Sequence, residues 1–259
     1  MYNFQKGEVI LINKPLTWTS FQLVNKMKYL IKNQESRIKN QETERHPEIV
    51  EGLNSKEEPQ PTTNNQQPTT KLKIGHAGTL DPLATGLLIV CTGKQTKNIE
   101  QYQAQEKEYT GTFCLGATTP CYDLEKAIDA HYPTDHITNE LIYETTKQFV
   151  GTIEQTPPLF SAIKINGKRA YDIARAGQTA EIKPKTITIS EFTITRIAMP
   201  FVDFKVVCSK GTYIRSLARD FGLALKSGAH LTALCRTRIG DYKLENALSL
   251  ESFEKKLFS

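Results

Sequence analysis

The chain lacks any uninterrupted apolar run near the ~20 residues that a membrane-spanning helix needs. Its start, Met1 to Glu8, has no basic segment followed by a long apolar one, so it does not read as a secretion signal. Cysteine is scarce and irregular. Cys91, Cys114, Cys121, Cys208 and Cys235 are odd in number and widely spread, and no two have the C-x2-C spacing of a zinc site. They read as free thiols of a reducing cytoplasm. Gly86 and Gly93-Lys94 do not have phosphate-binding-loop spacing, and Gln95 stands where that loop needs Ser or Thr. No Ser or Cys lies in a nucleophile-elbow context. These absences exclude a disulfide scaffold, a helical membrane protein, a P-loop hydrolase and an elbow-type hydrolase.

What remains is ordinary for a soluble globular protein: 259 residues, 39% hydrophobic and 24% charged. That length suffices to bury a real core. The formal net charge is +5, unevenly spread. Residues 33–71 hold seven acidic and five basic side chains, so the rest of the chain carries +7. A basic core is compatible with a polyanionic partner.

Glu8 to Lys14 reads as a buried strand stopped by Pro15. A helix follows, with Thr19 and Gln22 spaced as a capping box and Phe21, Val24, Met27 or Lys28, and Ile31 on one face. From about Asn33 to Thr70 Gln, Asn, Glu, Thr and Pro dominate and aromatics vanish. The first half can extend the helix, and the second half cannot bury enough apolar surface to offset ordering. Residues 33–71 are therefore expected as a flexible insertion. Further strands are predicted over Lys107–Thr118, Thr186–Ile197 and Phe201–Ser209, and helices over Ile137–Val150, Ala170–Arg175 and Arg215–Leu225. Asn166-Gly167 signals a hairpin. Strands and helices mix without a βαβ rhythm, which predicts an α+β (mixed α/β) fold on one large sheet.

The densest chemical signal is Gly75-His76-Ala77-Gly78-Thr79-Leu80-Asp81-Pro82-Leu83-Ala84-Thr85-Gly86. Glycines remove side chains where a ligand must come close. Asp81-Pro82 alone reads as the N-cap of a helix over Leu83–Val90. A second signal, Ser209-Lys210-Gly211-Thr212-Tyr213-Ile214-Arg215, sets Tyr213 and Arg215 on one side if extended. A third, Lys164, Lys168, Arg169, Tyr171 and Arg175, interleaves basic and aromatic residues, as an RNA-backbone contact or as a solvated amphipathic face.

Together these segments resemble the TruB family of tRNA pseudouridine synthases. The signature at 75–88 is joined in order by Asn13-Lys14-Pro15 with Thr19-Ser20, then Lys107-Glu108-Tyr109. Ile153–Pro158 with Ser161–Lys164, Ser209–Arg215 and Gly228–Leu231 follow. The resemblance covers most of residues 8–250 apart from the insertion. It implies a pseudouridine synthase core of one large, mainly antiparallel sheet flanked by helices, spanning 1–250; as a departure from many bacterial members, 251–259 is expected to be a short tail, with no separate C-terminal RNA-binding domain. It implies that Asp81 is the catalytic aspartate, Tyr109 stacks on the target base, Arg215 pairs with Asp81, and Tyr213 stands beside it. His76 and Leu234 would touch the flipped nucleotide and its surroundings, with Lys164, Lys168 and Arg169 gripping RNA. The implied substrate is uridine at position 55 in the T-arm of tRNA. The implied enzyme is a cytoplasmic monomer with no cofactor, metal or obligate protein partner. Isomerisation breaks the C1′–N1 bond and makes a C1′–C5 bond without net redox change.

Overall fold

The computed structural model describes residues 2–45, 72–161, 163–165, 167–170, 176 and 180–259. Residues 171–175 of the helix predicted over Ala170–Arg175, and most of the predicted insertion, 46–71, lie outside these residues.

Strand β1 (Val9–Lys14) leads into helix α1 (Ser20–Arg45). The predicted capping box forms: Gln22 N–H donates to Thr19 Oγ1 at 3.0 Å and Thr19 N–H to Gln22 Oε1 at 2.8 Å. The buried stripe of α1 is Leu23, Val24, Met27, Leu30 and Ile31. Phe21, predicted on that stripe, is 71% exposed. The helix phase that buries Leu23 and Met27 turns position 21 outward.

Two strands then flank the signature loop, β2 (Ile74–His76) and β3 (Ala84–Thr92). The strand β3 corrects the helix expected over Leu83–Val90. Leu87-Leu88-Ile89-Val90 is an apolar run without alternation because both faces of the strand are covered. Leu88 and Val90 pack with α1 on one side, and Leu87, Ile89 and Cys91 pack on the other. Gly86 is needed here. Its φ is +103°, and a Cβ would lie 2.4 Å from the Arg236 carbonyl oxygen.

After α2 (Ile99–Ala104) comes β4 (Lys107–Leu115), then the short pair β5 (Ala117–Thr118) and β6 (Ala130–His131). Helix α3 (Asn139–Lys147) is capped by Thr138, whose hydroxyl accepts from Leu141 N–H at 3.2 Å. Strand β7 (Gly151–Gln155) precedes the predicted hairpin, β8 (Lys164–Ile165) and β9 (Lys168–Arg169). Long strands β10 (Lys185–Ala198) and β11 (Phe201–Cys208) follow, then α4 (Ile214–Ala224), β12 (Ala229–Ile239), β13 (Tyr242–Lys243) and α5 (Leu250–Phe258).

Nine strands form one sheet in the order β1-β3-β12-β4-β11-β10-β7, with β2 also on β3 and β13 on β12. Every pairing is antiparallel except β3 with β12. The mixed, mainly antiparallel sheet flanked by helices is the fold expected. Helices α3 and α4 cover one region through Phe113, Phe149, Phe192, Phe204 and Phe221. Phe113 and Phe204 stack at 4.1 Å between centroids. Helices α1 and α5 cover another through Met27, Leu30, Phe253 and Leu257. The residues expected as a tail thus form α5, closed against α1. No described helix is long and apolar enough to cross a membrane.

Candidate active site

Asp81 lies on the loop between β2 and β3, and the backbone around it is held from several directions. Ser20, the first residue of α1, is buried; it accepts from Leu80 N–H at 2.9 Å and its hydroxyl donates to Leu80 O at 3.2 Å. Thr17 N–H donates to Pro82 O at 2.9 Å. Lys14 is fully buried, and its ammonium donates to Trp18 O at 2.6 Å, Pro15 O at 2.9 Å and Pro82 O at 3.4 Å. Burial pushes Lys14 down to about 8, with the charge of Asp81 pulling upward and that of Arg236 downward. The Lys14-Pro15 and Thr19-Ser20 motifs therefore act locally as the bracket of the aspartate loop.

The Asp81 carboxylate meets Arg215, with Oδ2 2.9 Å from Nε. Arg215 also lies 3.5 Å from Asp123 Oδ2, and donates to Cys121 O at 3.3 Å and Phe160 O at 3.0 Å. Burial opposes its charge, but Asp81 and Asp123 outweigh it and raise the pKa above the ordinary arginine value. The helix predicted over Arg215–Leu225 forms as α4, with Tyr213 its N-cap residue and Arg215 its second residue, so the two do not share one extended segment. Gln155, buried at the end of β7, clasps this start: Tyr213 N–H donates to its Oε1 at 2.8 Å, and its Nε2 donates to Tyr213 O at 3.2 Å.

Asp81, Tyr109, Tyr213, Arg215 and Leu234 line one open cleft of about 380 Å³. That falls within the usual size of small-ligand pockets, roughly 300–1,000 Å³. Tyr109 on β4 faces Arg236 on β12 across the ladder. Arg236 is 1% exposed; its Nε donates to Leu87 O at 2.8 Å and its Nη2 to Gly78 O at 3.0 Å. It thus ties β12 to β3 and to the signature loop. Burial raises the Tyr109 phenol, with Arg236 opposing, and burial raises the Tyr213 phenol.

The cleft does not gather every predicted residue. His76 on β2 is half-buried outside its walls. Burial, then the positive charge of Arg236, lowers its pKa and favours the neutral ring. Lys164, Lys168 and Arg169 sit on the β8–β9 hairpin, apart from the large sheet. Ser161, on the cleft wall, lies just before that hairpin.

Asp123, Arg236 and Gln155 were not singled out in the sequence. Gln155 lies within the Ile153–Pro158 segment but carries no signal of its own there, and each of the three finds its partner only across the fold.

Known proteins resemble this chain in sequence and in fold. Residues 66–214 match the model of the TruB family pseudouridylate synthase N-terminal domain, and residues 215–259 that of the tRNA pseudouridylate synthase B C-terminal domain. The boundary between the matches falls inside α4, and β12 from the second pairs with β3 and β4 from the first. The chain is 55% identical over 254 residues to tRNA pseudouridine synthase B of Flavobacterium johnsoniae, covering 98% of this chain and 97% of that one. It is 52% identical over 255 residues to the protein of that name from Phocaeicola vulgatus, covering 98% and 95%. Its fold matches a chain in the crystal structure of a Cbf5-Nop10-Gar1 complex with a TM-score of 0.63 and 28% identity. That match covers 97% of this chain and 54% of the other, so this chain spans about half the length of the solved one. Fold and matches together define an isomerase of the pseudouridylate synthase class. The chain belongs to the TruB family.

Proposed function

We propose that this protein isomerises uridine to pseudouridine in tRNA, at position 55 of the T-arm, with Asp81 as the catalytic carboxylate. The observation that carries this reading is the 2.9 Å contact between Asp81 Oδ2 and Arg215 Nε at the cleft. A carboxylate held there in one orientation is presented to whatever enters beside Tyr109.

The target uridine leaves the stack of its loop, at a cost of a few kcal/mol. Stacking on Tyr109 returns about 1–3 kcal/mol. Leu234 and Tyr213 close the walls around the base, and His76 supports the loop that carries Asp81. The C1′–N1 bond breaks and C1′–C5 forms; C5 loses a proton and N1 gains one, so composition is unchanged. Asp81 acts at the reacting nucleotide, while Arg215 fixes the orientation of its carboxylate. Lys164, Lys168 and Arg169 on the hairpin contact the RNA backbone. The enzyme acts as a cytoplasmic monomer, without a cofactor or protein partner.

The test is incubation with unmodified tRNA transcript, followed by carbodiimide modification and primer extension. A single new stop at the T-arm uridine is expected, absent with Asp81→Asn. A stop elsewhere would mean another RNA site. No stop would mean an RNA-binding protein on this scaffold.

A further inference from the structure

Helix α4 carries two arginines one turn apart, Arg215 and Arg219, and both reach the turn at residues 119–123. Arg215 takes the carbonyl of Cys121 and the carboxylate of Asp123, which lie on either side of Tyr122. For both acceptors to meet one guanidinium the chain must reverse between them. Tyr122 makes that reversal with φ +62°, a left-handed conformation that residues with a Cβ avoid. Glycine or asparagine would adopt it more readily, so the presence of a tyrosine calls for a reason.

The ring supplies one. The Arg219 guanidinium lies 5.0 Å from its centroid, and Arg219 Nη1 is 3.4 Å from the Tyr122 hydroxyl. Arg219 is itself fixed, 2.7 Å from Asp220 Oδ1 and donating to Thr156 O at 3.2 Å. The backbone is pinned too: Tyr122 N–H donates to Thr119 O at 3.1 Å, Leu231 N–H to Tyr122 O at 2.9 Å, and Thr119 Oγ1 to Asp123 O at 2.6 Å. Asp123 is 3% exposed and has no freedom to find Arg215 unless this turn keeps its shape.

We infer that Tyr122, clamped by Arg219, is a positioning residue. It sets Asp123 and the Cys121 carbonyl against Arg215, and thereby sets where Arg215 holds Asp81. The inference rests on the proposed function. It adds a device outside the cleft walls that acts on the reaction only through Arg215 and the two groups set against it, Asp123 and the Cys121 carbonyl.

The test measures single-turnover rate and KM on a T-arm RNA, well below the melting temperature of each variant. Tyr122→Gly keeps the left-handed backbone and deletes the ring, and Arg219→Met deletes the clamp and keeps the ring. Each is expected to slow the rate about tenfold to a hundredfold, as for a misplaced catalytic group, with KM within about twofold. In an Asp123→Asn background, adding Tyr122→Gly is expected to cost clearly less than it does alone, because the charged half of its route to the site is already broken. If Tyr122→Gly fails to fold, Arg219→Met alone and with Asp123→Asn decides. Wild-type rates in either folded single variant, an effect on KM only, or full additivity with Asp123→Asn would overturn the inference while leaving the function intact. A wild-type protein that makes no pseudouridine would overturn both.

Discussion

The side chain of Arg215 is 7% exposed, and the Asp81 side chain it holds at 2.9 Å is 39% exposed. A cation fixed in the interior thus orients an anion that stays open to the cleft. Asp123, whose side chain is 5% exposed, occupies the inner side of the same guanidinium. One carboxylate is open to the cleft, and the other pairs with the cation in the interior.

This asymmetry separates chemistry from stability. Asp81→Asn should abolish pseudouridine formation, by roughly a thousandfold or more, as for loss of a covalent or acid–base group. The fold should barely change, within about 0.5 kcal/mol, because Asp123 still pairs with Arg215. Rate measurement with parallel urea denaturation checks both halves. Retained turnover would remove Asp81 from its role.

Arg215→Met should lose activity and stability together. It leaves the buried Asp123 carboxylate without its cation, which costs about 3–5 kcal/mol for a broken buried pair. Adding Asp123→Leu should recover much of the stability and none of the activity. Denaturant midpoints of the two variants decide it.

Tyr109→Ala should slow the reaction by roughly 5-fold to 150-fold, the equivalent of about 1–3 kcal/mol of lost base stacking. Tyr109→Phe keeps the stacking face and should lose far less. Equal rates for Tyr109→Ala and wild type would show that the ring does not carry the base.

Gly86→Ala places a Cβ 2.4 Å from a backbone oxygen at φ +103°. Neither atom belongs to a flexible side chain, so β3 and β12 must separate. A loss of at least about 1–3 kcal/mol is expected, the cost of a strained backbone position. Thermal melting checks it.

Lys14 gives a pH dependence of defined sign. Its folded pKa is lowered from 10.5 to about 8, so the folded state binds its proton less tightly than the unfolded chain. Stability from this group is complete above about 10.5 and is lost as pH falls towards about 8. Lys107, also caged by backbone carbonyls and lowered to about 8 by burial, adds a second contribution of the same sign. The buried thiols of Cys91 and Cys208, raised to about 11, act in the opposite sense, so the Lys14 contribution is read by difference: the denaturation free energy of wild type relative to Lys14→Met should rise between pH 8 and 10.5. An unchanged slope would refute the burial of that ammonium.

Local signals were legible where a short stretch determines its own structure. Thr19 and Gln22 satisfy each other's backbone donors across one turn, and the capping box forms as predicted. The alternation over Lys107–Thr118, Thr186–Ile197 and Phe201–Ser209 marks half-covered strands, and the Asn-Gly pair marks the β8–β9 hairpin. The order of Asp81, Tyr109, Tyr213 and Arg215 was enough to suggest the family, and the fold brings all four to one cleft. Asp81-Pro82 misled as a helix cap because Leu87 to Val90 is buried on both faces. A strand covered twice loses the alternation that would distinguish it from a buried helix.

The tertiary structure alone decided what depends on partners distant in sequence. It turned Phe21 outward, paired β12 in parallel with β3, closed α5 on α1, and put Asp123 beside Arg215. The physical reason is range. A cap, a turn or an alternating strand is stabilised by neighbours within a few residues and leaves a local pattern. A guanidinium shared by two carboxylates and two carbonyls exists only once separate strands and a helix have packed around it.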